Sequence, residues 1–242
     1  MLYLTAIFNI FIFGGSFLAA RKTKHLAWLS VLTLAWMILV CHSRWVLSPS
    51  GLIALILGLV ALHFASWAIG LATQIKNNTK YTHKTALQLT CLLTLNACIV
   101  TSVYKTKGTT LGFDLYHIPS ISMVPTLIPG DVILVNTWPQ NLNSTGDIVL
   151  FKQTDEDTVY IKRIAGIGPE NVEWKNNNGD SNYSQVAADE FFLLGDNQQY
   201  SRDSRAFGPI HKSGVIAKAE FIVFSLSHDW RLKNKRVLKY LL

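Results

Sequence analysis

Four apolar segments occupy the first 104 residues of this 242-residue chain. A helix needs roughly 20 apolar residues to cross about 30 Å of bilayer hydrocarbon. Segments 2–20, 51–72 and 86–104 approach that length, and segment 26–41 is shorter. The first has no basic region before it, unlike a cleaved signal peptide, so we interpret it as a retained span. The pattern predicts an α-helical membrane region of about four transmembrane helices.

Basic residues are distributed unevenly among the loops that join these segments. The loops after the first and third segments hold most of them, and the loop after the second holds only Arg44. Because basic loops tend to stay in the cytoplasm, we expect a multi-pass protein of the inner, cytoplasmic membrane. Residues 107–242 would then lie on the outer, periplasmic face. The six basic residues that set this orientation are Arg21, Lys22, Lys24, Lys76, Lys80 and Lys84.

The composition changes near residue 106, which predicts a membrane region at 1–106 and a second domain at 107–242. The net charge of +7 is explained better by membrane flanks than by a nucleic-acid surface. No zinc-ligand spacing or helix-turn-helix signal supports nucleic-acid binding. Membrane lipid is therefore an expected contact, and nucleic acid is not.

The second domain is predicted to be mostly β. Short runs rich in Val, Ile, Phe and Tyr alternate with Gly, Pro, Asn and Asp, which is typical of strands joined by turns. Turn signals occur at 127–131 and 144–147, and residues 175–189 predict a surface hairpin. The predicted strands are 113–118, 132–138, 147–152, 158–165, 191–194 and 215–226.

The last residues, 230–242, are rich in Lys and Arg interspersed with Leu, Val and Tyr. Two interpretations stay open. The segment is either an amphipathic stretch lying on acidic lipid or a solvated tail.

Three sequence blocks in the second domain carry candidate chemistry. Ser122 lies in Pro-Ser-Ile-Ser-Met-Val-Pro-Thr-Leu, Lys162 lies in Tyr-Ile-Lys-Arg-Ile, and residues 195–205 read Gly-Asp-Asn-Gln-Gln-Tyr-Ser-Arg-Asp-Ser-Arg. A serine nucleophile needs a base. The domain contains no cysteine, and no Gly-x-Ser-x-Gly elbow is present. Its histidines, none in a recognisable triad setting, are His117, His211 and His228.

Lysine is the remaining candidate base, but it must be neutral to accept a proton. Half-deprotonation near pH 8 requires a pKa drop of about 2.4 units, which corresponds to roughly 3.3 kcal/mol. Desolvation can supply that drop, and Tyr160, Ile161 and Ile164 give Lys162 apolar neighbours. The adjacent Arg163 would point to the opposite face of a strand, where it could pair with an acid.

Motifs from these three blocks, together with a fourth motif at 146–149, carry a resemblance to a known family. They comprise Ser-Met-x-Pro-Thr-Leu at 122–127, Gly-Asp-Ile-Val at 146–149, Tyr-Ile-Lys-Arg at 160–163, and Gly-Asp-Asn with Ser-x-Asp-Ser-Arg at 195–205. Residues 113–225 thereby resemble type I signal peptidases, membrane-bound serine endopeptidases that remove signal peptides from secreted proteins. The resemblance implies a β-rich peptidase domain and cleavage after small residues in Ala-x-Ala-like sites. It implies no metal and no cofactor.

The resemblance also implies roles for individual residues. Ser122 matches the nucleophile and Lys162 the general base, while Ser120 and the backbone N–H of Ser122 would hold the oxyanion. Supporting positions are Ser201, Asp203, Arg205, Arg163, Gly195 and Asp196. Positions implied to line the substrate pockets are Ile118, Met123, Pro125, Leu127, Tyr160 and Ile161. Ile121 departs from the family, where a glycine is frequent.

Two alternatives remain beside general signal-peptide removal. The protein could process one dedicated client, such as a pilin or a plasmid-transfer subunit. It could instead be a non-catalytic membrane module that binds extended peptides. The expected partners are preprotein signal peptides and lipid, with a translocon or a dedicated client as a further partner.

Overall fold

The computed structural model describes residues 23–76, 105–106, 108–138, 142, 144–153, 158–176, 178–227 and 229–241. The chain divides into two compact units, 1–111 and 112–242. Two of the four predicted spans, 2–20 and 86–104, fall outside the described residues. The side of the membrane on which the second unit lies remains a prediction.

Two helices form the described part of the first unit. Helix α1 spans Thr23–His42, a short 3-10 turn follows at Trp45–Leu47, and helix α2 spans Pro49–Lys76. Proline is favoured at the first position of a helix because its missing N–H would have no intrahelical partner there. The hydroxyl of Ser48 accepts a hydrogen bond from the Gly51 N–H at 3.1 Å, which caps the start of α2.

The expectation of about four spans is not supported by these helices. Within the described residues, one apolar stretch is long enough to cross a bilayer, Pro49–Thr73 in α2. The apolar part of α1 runs from Val31 to His42, which is about 18 Å at 1.5 Å per residue and shorter than the hydrocarbon core. Segment 26–41 is therefore a helix, but it does not qualify as a span.

The second unit is an antiparallel β structure, which confirms the prediction of a mostly β domain. Strands β1 to β4 are Phe113–His117, Asp131–Asn136, Ile148–Lys152 and Val159–Ile167. The later strands are β5 (Glu170–Lys175), β6 (Ser181–Val186), β7 (Glu190–Leu194), β8 (Ile210–His211), β9 (Val215–Ser225) and β10 (Lys239–Tyr240). A single helical turn, α3, spans Ser204–Phe207.

The main sheet runs in the order β1-β2-β9-β3-β4-β7-β8, and β10 pairs with β9. Strands β5 and β6 form a separate hairpin. This hairpin begins at Glu170, earlier than the predicted 175–189 loop, because the Val172 and Trp174 side chains pack against Phe192. The central β9 alternates buried and half-buried residues, as expected for a strand between packed layers.

Buried side chains of β2, β3 and β9 pack against the segment that joins β1 to β2. One cluster of buried side chains includes Met123, Leu127, Ile133 and Ile222, each 0% exposed. The connecting segment closes with Gly130, whose φ of 94° lies in the left-handed region that glycine tolerates. A side chain at Gly130 would also overlap the Leu226 carbonyl. The turn predicted at 127–131 is therefore required by both conformation and space.

Candidate active site

Ser122 lies in a compact turn that follows β1. The Val124 N–H donates to the Ile121 carbonyl at 3.2 Å, and the Leu127 N–H donates to the Met123 carbonyl at 2.8 Å. The side chains of Met123 and Leu127 are fully buried in the core. The turn is therefore anchored from below, and Ser122 itself is 7% exposed.

Lys162 reaches Ser122 from the middle of β4. Its Nζ donates hydrogen bonds to Ser122 Oγ at 3.0 Å and to the Ile161 carbonyl at 2.9 Å. The side chain is only 3% exposed, although it carries an amine. The two residues are 40 positions apart in sequence and meet through the packing of the turn against the sheet.

Burial lowers the pKa of Lys162, because a charged amine loses hydration in an apolar setting. The negative charge of Asp203 acts in the opposite direction and raises this pKa, but burial is the larger effect. A neutral amine has a lone pair, which could accept the Ser122 hydroxyl proton over the same 3.0 Å. The pair therefore has the distance and the electrostatic setting of a nucleophile and its base.

Ser120 lies beside the pair on the exposed side of the turn. Its Oγ is 3.3 Å from Ser122 Oγ. A hydroxyl at this distance could donate a hydrogen bond to a negatively charged oxygen that forms next to Ser122.

The loop that follows β7 supports the turn that carries Ser122. The Asn197 N–H donates to the Ser122 carbonyl at 3.0 Å, and its side-chain amide donates to the Ile121 carbonyl at 3.1 Å. Gly195 packs so closely against the same turn that a side chain there would overlap Ser201 and the Ser122 carbonyl. The loop therefore holds the backbone at Ile121 and Ser122.

Asp203 and Arg205 form a buried ion pair behind this loop. Arg205 Nε and Nη2 donate to the two Asp203 carboxylate oxygens at 2.8 and 3.0 Å. Asp203 also accepts from the Gly195 N–H at 3.0 Å. Burial alone would raise the pKa of Asp203, but hydrogen bonds from Arg205 and Gly195 outweigh it and lower the pKa.

The Ser201 hydroxyl is buried near the same carboxylate. Within the part of the chain that the structure describes, this oxygen has no hydrogen-bond partner in bonding geometry. It is nevertheless close enough to Asp203 to contribute to the lowered pKa of that group. Ser201 is therefore placed behind the dyad, but its hydroxyl does not bond to the Lys162 amine here.

Arg163 has an acidic partner, Asp196. Its Nε and Nη2 donate to the two Asp196 carboxylate oxygens at 2.8 and 2.7 Å. Its Nη2 also donates to Thr126 Oγ1 at 3.2 Å. Burial would raise the pKa of Asp196, but the hydrogen bonds from Arg163 and Thr126 lower it. Adjacent residues of β4 thus have different contacts: Lys162 bonds to Ser122, whereas Arg163 bonds to the surrounding loops.

The residues expected to line substrate pockets fall into two sets. Ile118, Met123 and Leu127 are 3% exposed or less, so they form the packed floor beneath Ser122 rather than an open pocket surface. Pro125 is exposed, and Tyr160 and Ile161 are half-buried. Ile121 was not among the expected pocket residues, yet it is 45% exposed and precedes Ser122 directly in the turn.

Several residues of the site were missed by the sequence argument. Asn197 belongs to a quoted motif, and Asp131 to a recognised turn, so weak signals existed for both. Thr126 lies in the quoted motif at 122–127, but nothing in the sequence indicated that it contacts Arg163 and Arg236, because these contacts join distant parts of the chain. Among the described residues, no group of three His, Cys, Asp or Glu side chains could hold a metal ion.

The sequence of this chain is similar to those of known proteins. The family model described as signal peptidase, peptidase S26, matches residues 91–182 and 176–224. Signal peptidase I V of Bacillus subtilis strain 168 is 32% identical over 142 residues, which cover 43% of this chain and 84% of the relative. Signal peptidase I P of Bacillus subtilis subsp. natto is 28% identical over 145 residues, covering 47% and 78%. Signal peptidase IB of Staphylococcus aureus is 25% identical over 162 residues, covering 50% and 84%.

Proposed function

This chain belongs to the S26 family of signal peptidases, and from that premise we propose that it removes signal peptides from preproteins, with Ser122 as nucleophile and Lys162 as general base. The observation that carries the proposal is the 3.0 Å contact between Lys162 Nζ and Ser122 Oγ in a buried setting. Burial favours the neutral amine, which is the form that can act as a base.

The first half of the reaction forms an acyl-enzyme. The neutral Lys162 amine takes the hydroxyl proton as Ser122 Oγ attacks the carbonyl carbon of the scissile peptide bond. The resulting oxyanion accepts hydrogen bonds from the Ser120 hydroxyl and the Ser122 N–H. When the C–N bond breaks, the Lys162 ammonium returns its proton to the leaving amine, which becomes the N-terminus of the mature protein.

The second half releases the signal peptide. Lys162 is neutral again and accepts a proton from a water molecule that attacks the ester carbonyl. Collapse of the second tetrahedral intermediate breaks the bond to Ser122 Oγ, and the proton on Lys162 passes to that oxygen. The only groups that change protonation are Ser122, Lys162, water and the leaving amine, so no cofactor is needed.

The strand arrangement favours an extended substrate. Within the described sheet, β1 is an edge strand, and β7 pairs with β4 only from Arg163 onward. The β4 residues before Arg163 pair with β3 on one side, and within the described sheet no strand pairs with them on the other, where an extended substrate could add. The closely packed Met123 and Leu127 leave little depth under Ser122, which favours small side chains such as alanine before the cleaved bond.

The apolar helix α2 supports a membrane location, because Pro49–Thr73 is long enough to span a bilayer. We further propose that the protein is multi-pass and that the β unit lies on the outer face, based on the basic loops described above. Preproteins and membrane lipid are then the direct partners. Depletion of the protein from cells, followed by a proteome-wide search for proteins that keep their signal peptides, would show whether it cleaves one client or many.

The test uses the purified full-length protein in detergent with a preprotein that carries an Ala-x-Ala cleavage site. We expect Ser122→Ala to lose turnover by up to the order of 10⁶-fold, the loss seen when a catalytic serine is removed elsewhere. Ser181→Ala is the matched control, because Ser181 is an exposed serine on the β5–β6 hairpin. Product is measured by mass spectrometry, which also identifies the cleaved bond.

Cleavage that persists at the same bond in Ser122→Ala would exclude this serine as the nucleophile. Binding of the preprotein without cleavage by the wild-type protein would favour the non-catalytic module instead. An acylating peptide-like inhibitor that adds its mass to Ser122 in the wild type, but not in Ser122→Ala, would support the proposed acyl-enzyme.

A further inference from the structure

Thr126, four residues after the nucleophile, is held by two arginines from distant parts of the chain. Its hydroxyl accepts from Arg163 Nη2 at 3.2 Å, and its backbone carbonyl accepts from Arg236 Nη2 at 2.7 Å. Arg163 comes from β4, next to the general base, whereas Arg236 comes from the C-terminal segment, 110 residues away from Thr126. The turn that carries Ser122 is therefore fixed at its far end from two directions.

The contact from the C-terminal segment is part of a buried ion pair. Arg236 Nε and Nη2 donate to the two carboxylate oxygens of Asp131 at 2.9 and 2.5 Å. Asp131 is 0% exposed, and its Oδ2 also accepts from the Ile128 N–H at 2.9 Å. The side chain of Arg236 is only 15% exposed. One guanidinium thus joins the end of the nucleophile turn to the start of β2.

The C-terminal segment is folded against the domain and positions Arg236. It continues from β9, reverses through a bridge between Leu226 and Leu232, and returns as β10 beside β9. The Lys233 N–H donates to the Ser225 carbonyl at 2.8 Å, and the Leu226 N–H donates to the Gly130 carbonyl at 2.9 Å. In this part of the segment the solvated-tail interpretation does not hold.

The burial of this ion pair makes its loss consequential. Removing one partner of a buried pair leaves a charge without compensation, which is strongly destabilising. Here the uncompensated charge would be Asp131, which also holds the Ile128 N–H. Relaxation of Asp131 would therefore disturb the same segment, 126–131, that ends the nucleophile turn. Displacement of catalytic groups by about 1 Å can reduce turnover on the order of 10²-fold.

We propose that Arg236 is a positioning residue for the peptidase reaction, acting through the Thr126 carbonyl and Asp131 to keep Ser122 within reach of Lys162. The inference rests on the proposed function. Arg236 does not contact the Ser122 hydroxyl or the Lys162 amine, so its effect is on geometry. The C-terminal segment is accordingly part of the active-site framework.

Two substitutions separate the carbonyl contact from the ion pair. Arg236→Ala removes both, and we expect kcat to fall about 10- to 100-fold with KM nearly unchanged, because the substrate-binding edges of β1 and β4 stay in place. Arg236→Lys can neutralise Asp131, but a single ammonium does not reproduce the guanidinium fork to the Thr126 carbonyl. We expect kcat of Arg236→Lys to fall as well, with a melting temperature closer to that of the wild type.

Chemical rescue distinguishes a positioning role from a purely structural one, because general stabilisation of the fold would not make turnover depend on added guanidinium. Millimolar guanidinium should restore part of the kcat of Arg236→Ala, whereas the same concentration of sodium chloride should not. Amide hydrogen exchange at Leu127 should accelerate in Arg236→Ala, because this N–H closes the nucleophile turn. Arg231→Ala is the control, since Arg231 lies in the same segment, is 85% exposed, and pairs with the exposed Asp229.

All measurements use the full-length protein below the melting temperature of each variant. Wild-type turnover and its loss in Ser122→Ala are recorded in the same assay, so absent wild-type turnover would refute the proposed function and not the positioning role. The positioning role is overturned if Arg236→Lys keeps the wild-type kcat and Leu127 exchange rate. It is also overturned if Arg236→Ala loses activity only in proportion to its folded fraction, without rescue by guanidinium.

Discussion

Large apolar side chains are exposed in helix α2 of the first unit but buried in the β unit. In helix α2, Leu57 is 61% exposed and Ile75 is 62% exposed, although both are large and apolar. In the β unit, Phe192 and Phe221 are 0% exposed. The β unit therefore contains its own hydrophobic core, whereas α2 needs an apolar environment outside its own fold, as a bilayer would supply.

The difference extends to charge. The stretch Pro49–Thr73 of α2 contains no Asp, Glu, Lys or Arg, while the β unit buries Asp131, Lys162 and Asp203 within its core. Both aspartates pair with arginines, but the Lys162 amine contacts a serine hydroxyl and a carbonyl. A buried amine without a directly bonded carboxylate is costly for folding and useful for catalysis. The following predictions, in descending order of effect, test this contrast.

Lys162→Met should have opposite effects on activity and stability. We expect a loss of turnover of about 10³-fold or more, because the general base is removed. The melting temperature should rise at neutral pH, because Met fills a similar volume without the desolvation cost of an amine. Lys175→Met, on the exposed hairpin, is the matched control for both measurements.

The sign of the pH dependence follows from the lowered pKa of Lys162. Between this pKa and the unfolded value of about 10.4, the unfolded chain binds more protons, so wild-type stability rises with pH. The stability advantage of Lys162→Met should therefore shrink as pH increases towards 10.4. A constant advantage in thermal melts across this range would contradict the assignment of the buried amine.

Phe192→Ala should destabilise the β unit by about 3–5 kcal/mol, because it leaves a cavity under the ring of Trp174. Leu57→Ala should leave the β unit unchanged, since Leu57 packs little within its own unit. Amide hydrogen exchange in β9 measures both in the full-length protein. Similar acceleration of exchange in both variants would mean that the two units do not differ as described.

Leu57→Lys should weaken membrane insertion of α2 by about 2.5–3.5 kcal/mol, the cost of a lysine near the centre of a spanning helix. The effect is measured as the inserted fraction of segment 49–73 in a reporter protein with a glycosylation acceptor on each side, so that other proposed spans do not mask it. Leu57→Ala is the uncharged control and should insert nearly as well as the wild-type segment. Equal insertion of Leu57→Lys and Leu57→Ala would argue against α2 as a span.

Asp203→Asn should shift the pH profile of kcat/KM. The rate should rise about tenfold per pH unit on the acid side, because only the neutral Lys162 acts as a base. Asp203 raises the pKa of Lys162, so removing its charge should move this limb to lower pH. The exposed acid Glu173 on β5, changed to Gln, provides the control. A shift to higher pH would show that Asp203 does not act on Lys162 through its charge.

The strands and the reactive residue pair could be predicted because their signals are local. Runs rich in Val, Ile, Phe and Tyr, bounded by Gly, Pro, Asn and Asp, predicted the six strands to within a few residues, and Ser122 and Lys162 stood in recognisable blocks. Hydropathy was less informative for the helices, since a helix can be longer than its apolar part: α1 spans 20 residues, but only Val31–His42 is apolar. The short apolar part of α1 illustrates this difference.

The sequence by itself determined a β-rich unit, an apolar helical region and the candidate nucleophile and base. The tertiary structure decided which distant side chains meet, including the contact of Arg236 with Asp131 across 105 residues. The physical reason is that a strand is indicated by residues adjacent in the sequence, whereas the order and register of strands depend on how the whole sheet packs. Arg231 and Arg236 look alike in the sequence, but only the fold buries one of them against a carboxylate.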